Sequence, residues 1–254
     1  MNSITYNTKK INSKNKIVVY TCIVGNNDVL REVANPESNI DYICFTNHDI
    51  QSKTWGIRKI PGYLNYLDPV KIARCIKILP HVFLKEYIIS VWVDGNIEVK
   101  GDINDFIEDS LTGYFAIPKH PLRICIYEEA KAVLKLNKDR PDIVNLQMSE
   151  YFRREYPVNY GLVQSGIIIR KHNHEKSIEI CNSWWNEVRT FSIRDQLSFN
   201  FAIWKKDINI DVIHPSILGS NYFQLWSHIS KGCERISFKP NYGDIQNFIN
   251  GKPV

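Results

Sequence analysis

Apolar residues follow two spacings along the chain, and these predict strands alternating with helices. Short apolar runs rich in β-branched residues, typical of buried strands, lie at 16–24, 40–46, 55–60, 88–93, 114–117, 161–170 and 208–213. Amphipathic helical spacing is found at 69–79, 102–111, 128–136, 142–154, 175–188 and 193–205, and a short helix is expected between the first two strands. The alternation predicts an α/β domain with a mixed sheet.

The strand at 88–93 runs directly into Asp94-Gly95-Asn96. A carboxylate at the end of a buried strand is costly to desolvate unless it is paired, hydrogen-bonded or bound to a cation. Ligands of open α/β sheets also lie outside the carboxyl ends of strands. The oxygens of Asp94 and Asn96 suit a hard divalent cation beside phosphates, and Gly95 allows a close approach of the backbone. An Asp-Gly turn between two strands explains the stretch equally well.

Lys71, Arg74 and Lys77 recur every three residues in the predicted helix at 69–79, so they share one face opposite its apolar residues. Such a stripe can bind a diphosphate. From spacing alone, a solvated face of an amphipathic helix is the favoured interpretation.

Ionisable residues also crowd together at 120–129, where His120, Arg123, Glu128 and Glu129 follow a predicted strand. They indicate either the polar wall of a pocket or the start of a helix whose carboxylates complement its dipole. The residues themselves favour neither.

Asp195 and Gln196 open a predicted helix after Ser192. The spacing Ser192-x-x-Asp195 fits a helix N-terminal capping signature, which is the favoured interpretation from spacing. His214 follows the last predicted strand, and a lone histidine is more often a structural hydrogen-bonding residue than a metal ligand. There is no G-x-S-x-G nucleophile elbow, Walker loop or G-x-G-x-x-G motif in the sequence.

Composition sets broad limits on the class of protein. The 254 residues, 44% of them hydrophobic, suffice for one sizeable domain at 16–254 after an Asn/Lys/Ser-rich stretch at 1–15 that predicts a flexible tail. The net charge of +5 permits anionic ligands or an anionic membrane surface, and we see no nucleic-acid-binding motif. Six scattered cysteines without a C-x-x-C pair favour a reducing compartment, so a cytoplasmic protein is expected.

Eight segments, taken in order, resemble a glycosyltransferase-like family long catalogued as a domain of unknown function, found in plants and in bacterial surface-polysaccharide loci. They are VVYTCIVGNND, IDYICFTN, DPVKIARCIKILPHVFL, SVWVDGNIEVKGD, KHPLRICIYEEA, GLVQSGIIIRKHN, WW and RDQLSFNFAIWK. Their arrangement is also similar to that of family-8 glycosyltransferases. The resemblance spans 16–214 and implies a single GT-A-like domain whose mixed, mostly parallel central sheet is flanked by helices.

The resemblance also implies roles for individual residues. Residues that would bind the nucleotide sugar are Thr21, Val24, Gly25, Asn26, Asp28, Lys71, Arg74, Lys77, Asp94, Gly95, His120, Arg123 and Glu129. A divalent cation (Mn²⁺ or Mg²⁺) would be bound by Asp94, Asn96 and His214. Because Asn96 replaces the second aspartate of an Asp-x-Asp motif, the cation is expected to bind weakly or to be dispensable. Asp195, Gln196 and Glu128 would be catalytic.

The function implied is transfer of a sugar from a nucleotide donor, expected to be UDP-linked, to a hydroxyl of a surface glycan or glycolipid. Peripheral association with the inner face of a membrane is part of this expectation. Asp195 would be the base if the enzyme inverts, and Gln196 would lie beneath the anomeric carbon if it retains, which the family-8 likeness favours. Two alternatives are a metal-assisted amide or ester hydrolase using Asp94, His120 and Glu128, and a non-catalytic module that binds nucleotide sugars.

Overall fold

A computed structural model describes residues 16–26, 28–215 and 219–229, together with 232, 234 and 236. The predicted tail at 1–15 and Cys233 lie outside the described residues. No helix in the described part of the chain is both long and apolar enough to cross a membrane. The five cysteines that the structure describes are buried free thiols.

Among the residues described, nine strands form two sheets. The strands are β1 (Ile17–Ile23), β2 (Ile40–Thr46), β3 (Gly56–Lys59), β4 (Ile89–Val93), β5 (Ile97–Val99), β6 (Phe115–Pro118), β7 (Ile167–Arg170), β8 (Asp211–Ile213) and β9 (Phe223–Leu225). Seven of them pair in the order β3-β2-β1-β4-β7-β6-β8, while β5 and β9 form a separate antiparallel pair. Within the large sheet β7 alone is antiparallel to its neighbours. The predicted α/β fold with a mixed, mostly parallel sheet is therefore confirmed.

The described residues also form seven α-helices. They are α1 (Pro69–Ile78), α2 (Pro80–Phe83), α3 (Ile103–Ser110), α4 (Ile126–Lys135), α5 (Pro141–Arg153), α6 (Glu175–Thr190) and α7 (Gln196–Ile203). All six helices expected from apolar spacing are present. The short helix expected between β1 and β2 is absent from the described residues there. The segment between β1 and β2 bonds to another part of the chain instead, since the Glu32 carboxylate accepts the backbone N–H groups of Lys53 and Thr54.

The inner strands β1, β4, β6 and β7 are buried on both faces, which explains why they are continuously apolar. Alternate residues of β1 face opposite layers: Val18 and Tyr20 pack in the layer that contains residues of α1, α6 and α7, and Val19 and Ile23 pack in the layer that contains residues of α3. A smaller aromatic cluster joins α4, α5 and α7, with Tyr151 stacked on Phe201. These layers fix the central strands whose ends form the candidate site.

Candidate active site

The candidate site lies at the edge of the sheet where β4 ends and β7 begins. Because β7 is antiparallel to β4, Val93 pairs with Ile167, and the residues before β7 lie beside those after β4. Asp94 donates its backbone N–H to the carbonyl of Gly166 at 2.9 Å. This is also the carboxyl edge of the parallel strands β1 and β4, where ligands bind in α/β sheets.

Lys77, near the end of α1, connects these elements. Its Nζ lies 2.6 Å from Oδ2 of Asp195 and 3.2 Å from Oδ1 of Asp94, and it donates to Oγ of Ser165 at 3.0 Å. The lysine side chain is only 1% exposed. The interpretation of this stripe as a solvated face is therefore wrong for Lys77, which is a buried cation shared by two carboxylates.

The other two residues of the stripe behave differently from each other. Arg74 has its Nε 3.5 Å from Oδ1 of Asp195, and the same Nε donates to the carbonyl of Ile193 at 3.2 Å. Lys71 instead donates to the carbonyl of Arg189 at the end of α6, at 3.3 Å. Arg74 thus belongs to the charged cluster, whereas Lys71 does not reach it.

Asp94 is positioned from two sides. The indole Nε1 of Trp92 donates to Oδ1 at 2.7 Å, and the side chain remains about one-third exposed (32%). The carbonyl of Asp94 accepts the N–H of Ile97 at 2.9 Å, which closes the turn between β4 and β5. The turn interpretation of this stretch is confirmed, and the turn presents the Asp94 carboxylate to the cluster, whereas the cation site stays a prediction.

Asp195 immediately precedes α7, but its side chain does not cap the helix. Ser165 donates to Oδ2 of Asp195 at 3.0 Å, and Trp184 donates its indole N–H to the Asp195 carbonyl at 2.9 Å. Ser192 instead accepts the N–H of Arg194 at 3.0 Å. The capping signature is therefore a wrong interpretation, because ion pairing with buried cations takes the carboxylate away from the helix end.

The protonation of Asp195 follows from its neighbours. Burial by itself raises the pKa of this carboxyl, but the charges of Arg74 and Lys77 outweigh burial and hold the pKa well below its usual value. Asp195 is consequently an anion throughout the physiological range, and such a carboxylate is a weak base.

His120, Arg123 and Glu129 form a second charged cluster. Arg123 donates from Nε to Glu129 at 2.6 Å, and Nε2 of His120 lies 3.7 Å from the same carboxylate. Nδ1 of His120 accepts the backbone N–H of Leu122 and of Arg123, which leaves Nε2 to carry the proton. Burial lowers the pKa of His120 to about 4, so the imidazole is neutral at pH 7.

Glu128 does not join either cluster. Its side chain is 54% exposed and pairs with Lys131 at 2.7 Å on the surface of α4. Glu129, one residue later, points about 100° further around the helix and is buried. The expectation of a catalytic Glu128 is therefore not supported by its position.

Arg194 lies in the electrostatic field of both clusters. Burial lowers the pKa of its guanidinium, as does the neighbouring charge of Arg74, while Asp195, Asp94 and Glu129 act in the opposite direction. Arg194 thus interacts electrostatically with all three carboxylates.

The end of β1 forms the other wall of the site. The hydroxyl of Thr21 is buried without a hydrogen-bond partner among the described residues. Gly25 adopts a left-handed φ of 71°, which favours glycine, and His48 donates to its carbonyl at 2.9 Å. A Cβ on Gly95 would lie 3.2 Å from Cβ of Asp28. The ends of β1 and β4 therefore meet at this pair, with Val24 and Asn26 on the same β1 segment.

Residues 226–228 pack against this wall. Asn96 donates its amide to the carbonyl of Trp226 at 2.8 Å, and the guanidinium of Arg31 stacks 4.3 Å from the Trp226 ring. His228 contacts Oδ1 of Asp28 through Nδ1 at 2.6 Å. Sequence patterns gave no signal for His228, which lies where apolar periodicity had ended.

A divalent cation would find two oxygen ligands here. Asn96 uses its amide nitrogen on Trp226, so its oxygen remains a possible ligand beside the carboxylate of Asp94. This set fits Mg²⁺ or Mn²⁺ held by one carboxylate and otherwise by substrate phosphates and water. Across the residues that can be described, no three His, Cys, Asp or Glu side chains gather as a metal site.

His214 follows β8, which stands three positions from β4 in the sheet. Its role as a metal ligand stays a prediction. Gln196 donates its side-chain amide to the carbonyl of Val163 at 3.1 Å.

The combined site is densely charged. Four cations face four carboxylates: Lys77, Arg74, Arg194 and Arg123 face Asp94, Asp195, Glu129 and Asp28. Cations concentrated at the ligand-binding edge of a sheet can bind an anionic ligand such as a diphosphate.

Comparison with known proteins defines the class. A family model described as "TOD1/MUCI70, glycosyltransferase-like domain" matches residues 46–215, a span that includes α1, Asp94, the second charged cluster and Asp195. The chain belongs to this family. The glycosyltransferase-like family resemblance seen in the sequence is thereby confirmed.

Two relatives are from Arabidopsis thaliana. One, named probable hexosyltransferase MUCI70, is 27% identical over 148 residues, which are 54% of this chain and 25% of that protein. The other, named alkaline ceramidase TOD1, is 29% identical over 167 residues, which are 61% of this chain and 36% of that protein. The chain thus matches about a quarter to a third of the length of these relatives.

Solved glycosyltransferase structures superpose only in part. Mouse xyloside xylosyltransferase 1 gives a TM-score of 0.46 at 12% identity, covering 78% of this chain and 84% of that one. The bifunctional glycosyltransferase WbbM gives 0.48 at 12% identity, covering 80% and 39%. The family assignment rests on the match over residues 46–215 and not on these superpositions.

Proposed function

We propose that this protein transfers a sugar from a nucleoside diphosphate donor, UDP-linked in our view, to a hydroxyl of a surface glycan or glycolipid. The family match and the relative named as a probable hexosyltransferase support glycosyl transfer as the class of reaction. The observation that carries the proposal is the buried Lys77, held between Asp94 and Asp195 at the ligand-binding edge of the sheet.

The leaving diphosphate requires positive charge as the glycosidic bond breaks. Arg74 and Arg194 supply fixed positive charge at short range, and Lys77 adds to their field from beneath. A divalent cation bound by Asp94 and Asn96 would further offset the diphosphate charge. Because the protein cations are already in place, we expect activity to be reduced rather than abolished without added metal.

Retention of configuration is the outcome that we propose. An inverting enzyme needs a base to remove the proton of the acceptor hydroxyl, and Asp195 is unsuited to this because its pKa is held well below its usual value. Its fixed negative charge instead stabilises the positive charge that develops on the sugar. Gln196 follows Asp195 in the chain and is partly buried. We propose that its side chain lies beneath the anomeric carbon of the donor sugar.

Two alanine substitutions, each of which removes a side-chain carboxylate, test the site. Asp94→Ala removes the carboxylate from the donor site, and we expect the release of nucleoside diphosphate to fall by about 10²-fold or more. Glu128→Ala is the matched control, because it deletes a carboxylate that pairs only with Lys131 on the surface, and it should retain wild-type turnover. Equal activity of Asp94→Ala and wild type would overturn the site.

A second candidate, amide hydrolysis, is favoured by the name of the relative, alkaline ceramidase TOD1, and by one contact. Ser165 Oγ lies 3.0 Å from Nζ of Lys77, the geometry of a serine with a lysine base. The hydrogen bonds run the other way, however: Lys77 donates to the Ser165 hydroxyl, and that hydroxyl donates to Asp195. The metal-assisted version is weaker still, because Glu128 lies on the surface away from Asp94.

Release of fatty acid from an N-acylated sphingoid base at alkaline pH distinguishes the two candidates. Transfer predicts no release, and it predicts that Ser165→Ala still turns over the nucleotide sugar. Release that disappears in Ser165→Ala would favour the hydrolase. Binding of a nucleotide sugar without turnover, even with acceptors present, would indicate a non-catalytic module.

We also propose that the protein works in the cytoplasm, peripherally attached to the inner face of a membrane. Phe152 and Val158 are 74% and 66% exposed. Arg153 and Arg154, which follow Phe152 in the chain, are 72% and 50% exposed and share one carboxylate, Glu150. Such a mixture of apolar and cationic side chains suits an anionic lipid surface. Co-sedimentation with anionic but not neutral vesicles, reduced in Phe152→Glu, is the expected result.

A further inference from the structure

Arg170, in the inner strand β7, is a fully buried cation that forms no salt bridge with a carboxylate among the described residues. It lies at the end of β7, and its side chain reaches the end of α1. Nη2 donates to the carbonyl of Lys77 at 2.9 Å and to the hydroxyl of Tyr20 at 2.5 Å. Nη1 lies 3.5 Å from the carbonyl of Ile78. A buried guanidinium of this kind is expensive unless something compensates its charge.

The end of α1 supplies that compensation. The carbonyls of the last turn of a helix lack partners within the helix and carry a partial negative charge. Pro80 begins α2 immediately afterwards and has no N–H to offer them. Arg170 satisfies this helix end from below, and Tyr20 donates to the same Lys77 carbonyl at 2.7 Å.

We propose that Arg170 is a positioning residue that fixes the backbone of Lys77, so that the ammonium of Lys77 stays between Asp94 and Asp195. Its consequence for catalysis rests on the proposed function. Strands β1 and β7 hold the Lys77 carbonyl through Tyr20 and Arg170, while the side chain of the same residue reaches the charged cluster at the sheet edge. The catalytic geometry is thus anchored on the layer beneath the site.

Arg170→Lys is the informative variant, because it keeps the charge but offers one nitrogen in place of the two, Nη2 and Nη1, that reach the carbonyls of Lys77 and Ile78. Tyr20→Phe removes the second donor to that carbonyl with little change in volume, and serves if Arg170→Lys does not fold. His172→Gln is the matched control. His172 is buried close by in the chain and donates to the carbonyl of Leu84, at the end of α2 rather than α1.

The first readout is the acylation of Lys77 by an amine-reactive reagent at one fixed pH, followed by mass spectrometry of the folded proteins. Lys77 should be protected in the wild type and in His172→Gln, and its labelling should rise about tenfold in Arg170→Lys. Unchanged labelling of Lys77 in Arg170→Lys would overturn the proposal. So would an equal rise of Lys77 labelling in His172→Gln, if the two variants have the same melting temperature.

The second readout is steady-state kinetics of sugar transfer. We expect kcat to fall about 10- to 100-fold in Arg170→Lys, with the donor KM changed less than about twofold. If Arg170 had only a structural role, Arg170→Lys and His172→Gln would lower the melting temperature alike, and kcat would not fall selectively relative to the donor KM. If the wild type transfers no sugar, the proposed function fails, and the labelling of Lys77 still decides the role of Arg170.

Discussion

At the scale of single residues, the buried ammonium of Lys77 is the centre of the site. It touches Asp195 and Asp94, and either carboxylate alone in this environment would be costly. Removing one partner of a buried ion pair leaves the other charge uncompensated, which is worse for stability than removing both. Function and folding therefore depend on the same contact.

A double-mutant cycle measures that dependence. Lys77→Met should lower the free energy of unfolding by about 3 kcal/mol, because buried Asp195 loses its nearest cation while Arg74 still faces its other oxygen. Asp195→Asn added to Lys77→Met should recover part of this loss, so the two effects are not additive. Urea unfolding of the four proteins gives the coupling energy, and strict additivity would show that the pair does not interact.

Two buried histidines predict how stability depends on pH. Burial lowers the pKa of His120 and of His172 to about 4, from about 6.5 when unfolded. The unfolded chain therefore binds more protons between these values, and stability falls as pH drops from 6.5 towards 4. We expect each histidine to cost about 1–2 kcal/mol at pH 5 relative to pH 7.

Unfolding curves at pH 7 and pH 5 check this expectation. His172→Gln should reduce the difference between the two pH values, and an unreduced difference would contradict the assignment. Asp195 acts in another window. Because its pKa is lowered in the folded state, its contribution is present above the unfolded value of about 3.9 and is lost only as pH falls below it.

Residue types and strand ends predicted part of this site and left the rest open. Asp94 was predictable because a carboxylate at the end of an apolar strand needs a partner. Its partners were not, since Lys77 and Asp195 are 118 positions apart in the chain and meet only through packing. Choosing Glu129 over Glu128 required the rotational setting of α4, which depends on its contacts.

At the scale of elements, α1 shows how local signals fix a helix. Asp68 accepts the N–H of Lys71 as an N-cap, and Pro69 occupies the first turn, so the helix starts at the predicted residue. Local signals do not predict the start of α7. Its apolar spacing predicts a start at Ile193, but Asp195 is drawn into ion pairs and the helix begins at Gln196.

The close contact between the ends of β1 and β4 gives a prediction at this scale. A Cβ on Gly95 would lie 3.2 Å from Cβ and 3.3 Å from Oδ2 of Asp28, so Gly95→Ala must displace Asp28. We expect about tenfold weaker binding of nucleoside diphosphate, measured by calorimetry, without loss of the fold.

Gly62→Ala is the control for this variant. Nothing lies within 4 Å of a Cβ at Gly62, so its nucleotide affinity should equal that of the wild type. Unaltered affinity in Gly95→Ala would mean that the ends of β1 and β4 do not form the nucleotide site.

At the scale of the whole molecule, the position of the site follows from the topology. The central strands β1, β4 and β7 are neighbours, and the antiparallel direction of β7 brings Ser165 to the edge where Asp94 ends β4. The α/β class was predictable from alternating apolar patterns. The antiparallel direction of β7 was not, because an apolar run carries no information about its direction in a buried sheet.

The central claim is that the charged cluster at this edge serves transfer from a nucleotide sugar. Proton NMR of the purified protein with a panel of nucleotide sugars and simple glycan acceptors tests it most directly. We expect one donor to be consumed, with release of its nucleoside diphosphate and formation of a glycoside of the same anomeric configuration. Every donor left intact and unbound, together with fatty acid released from an N-acylated sphingoid base at alkaline pH, would contradict it.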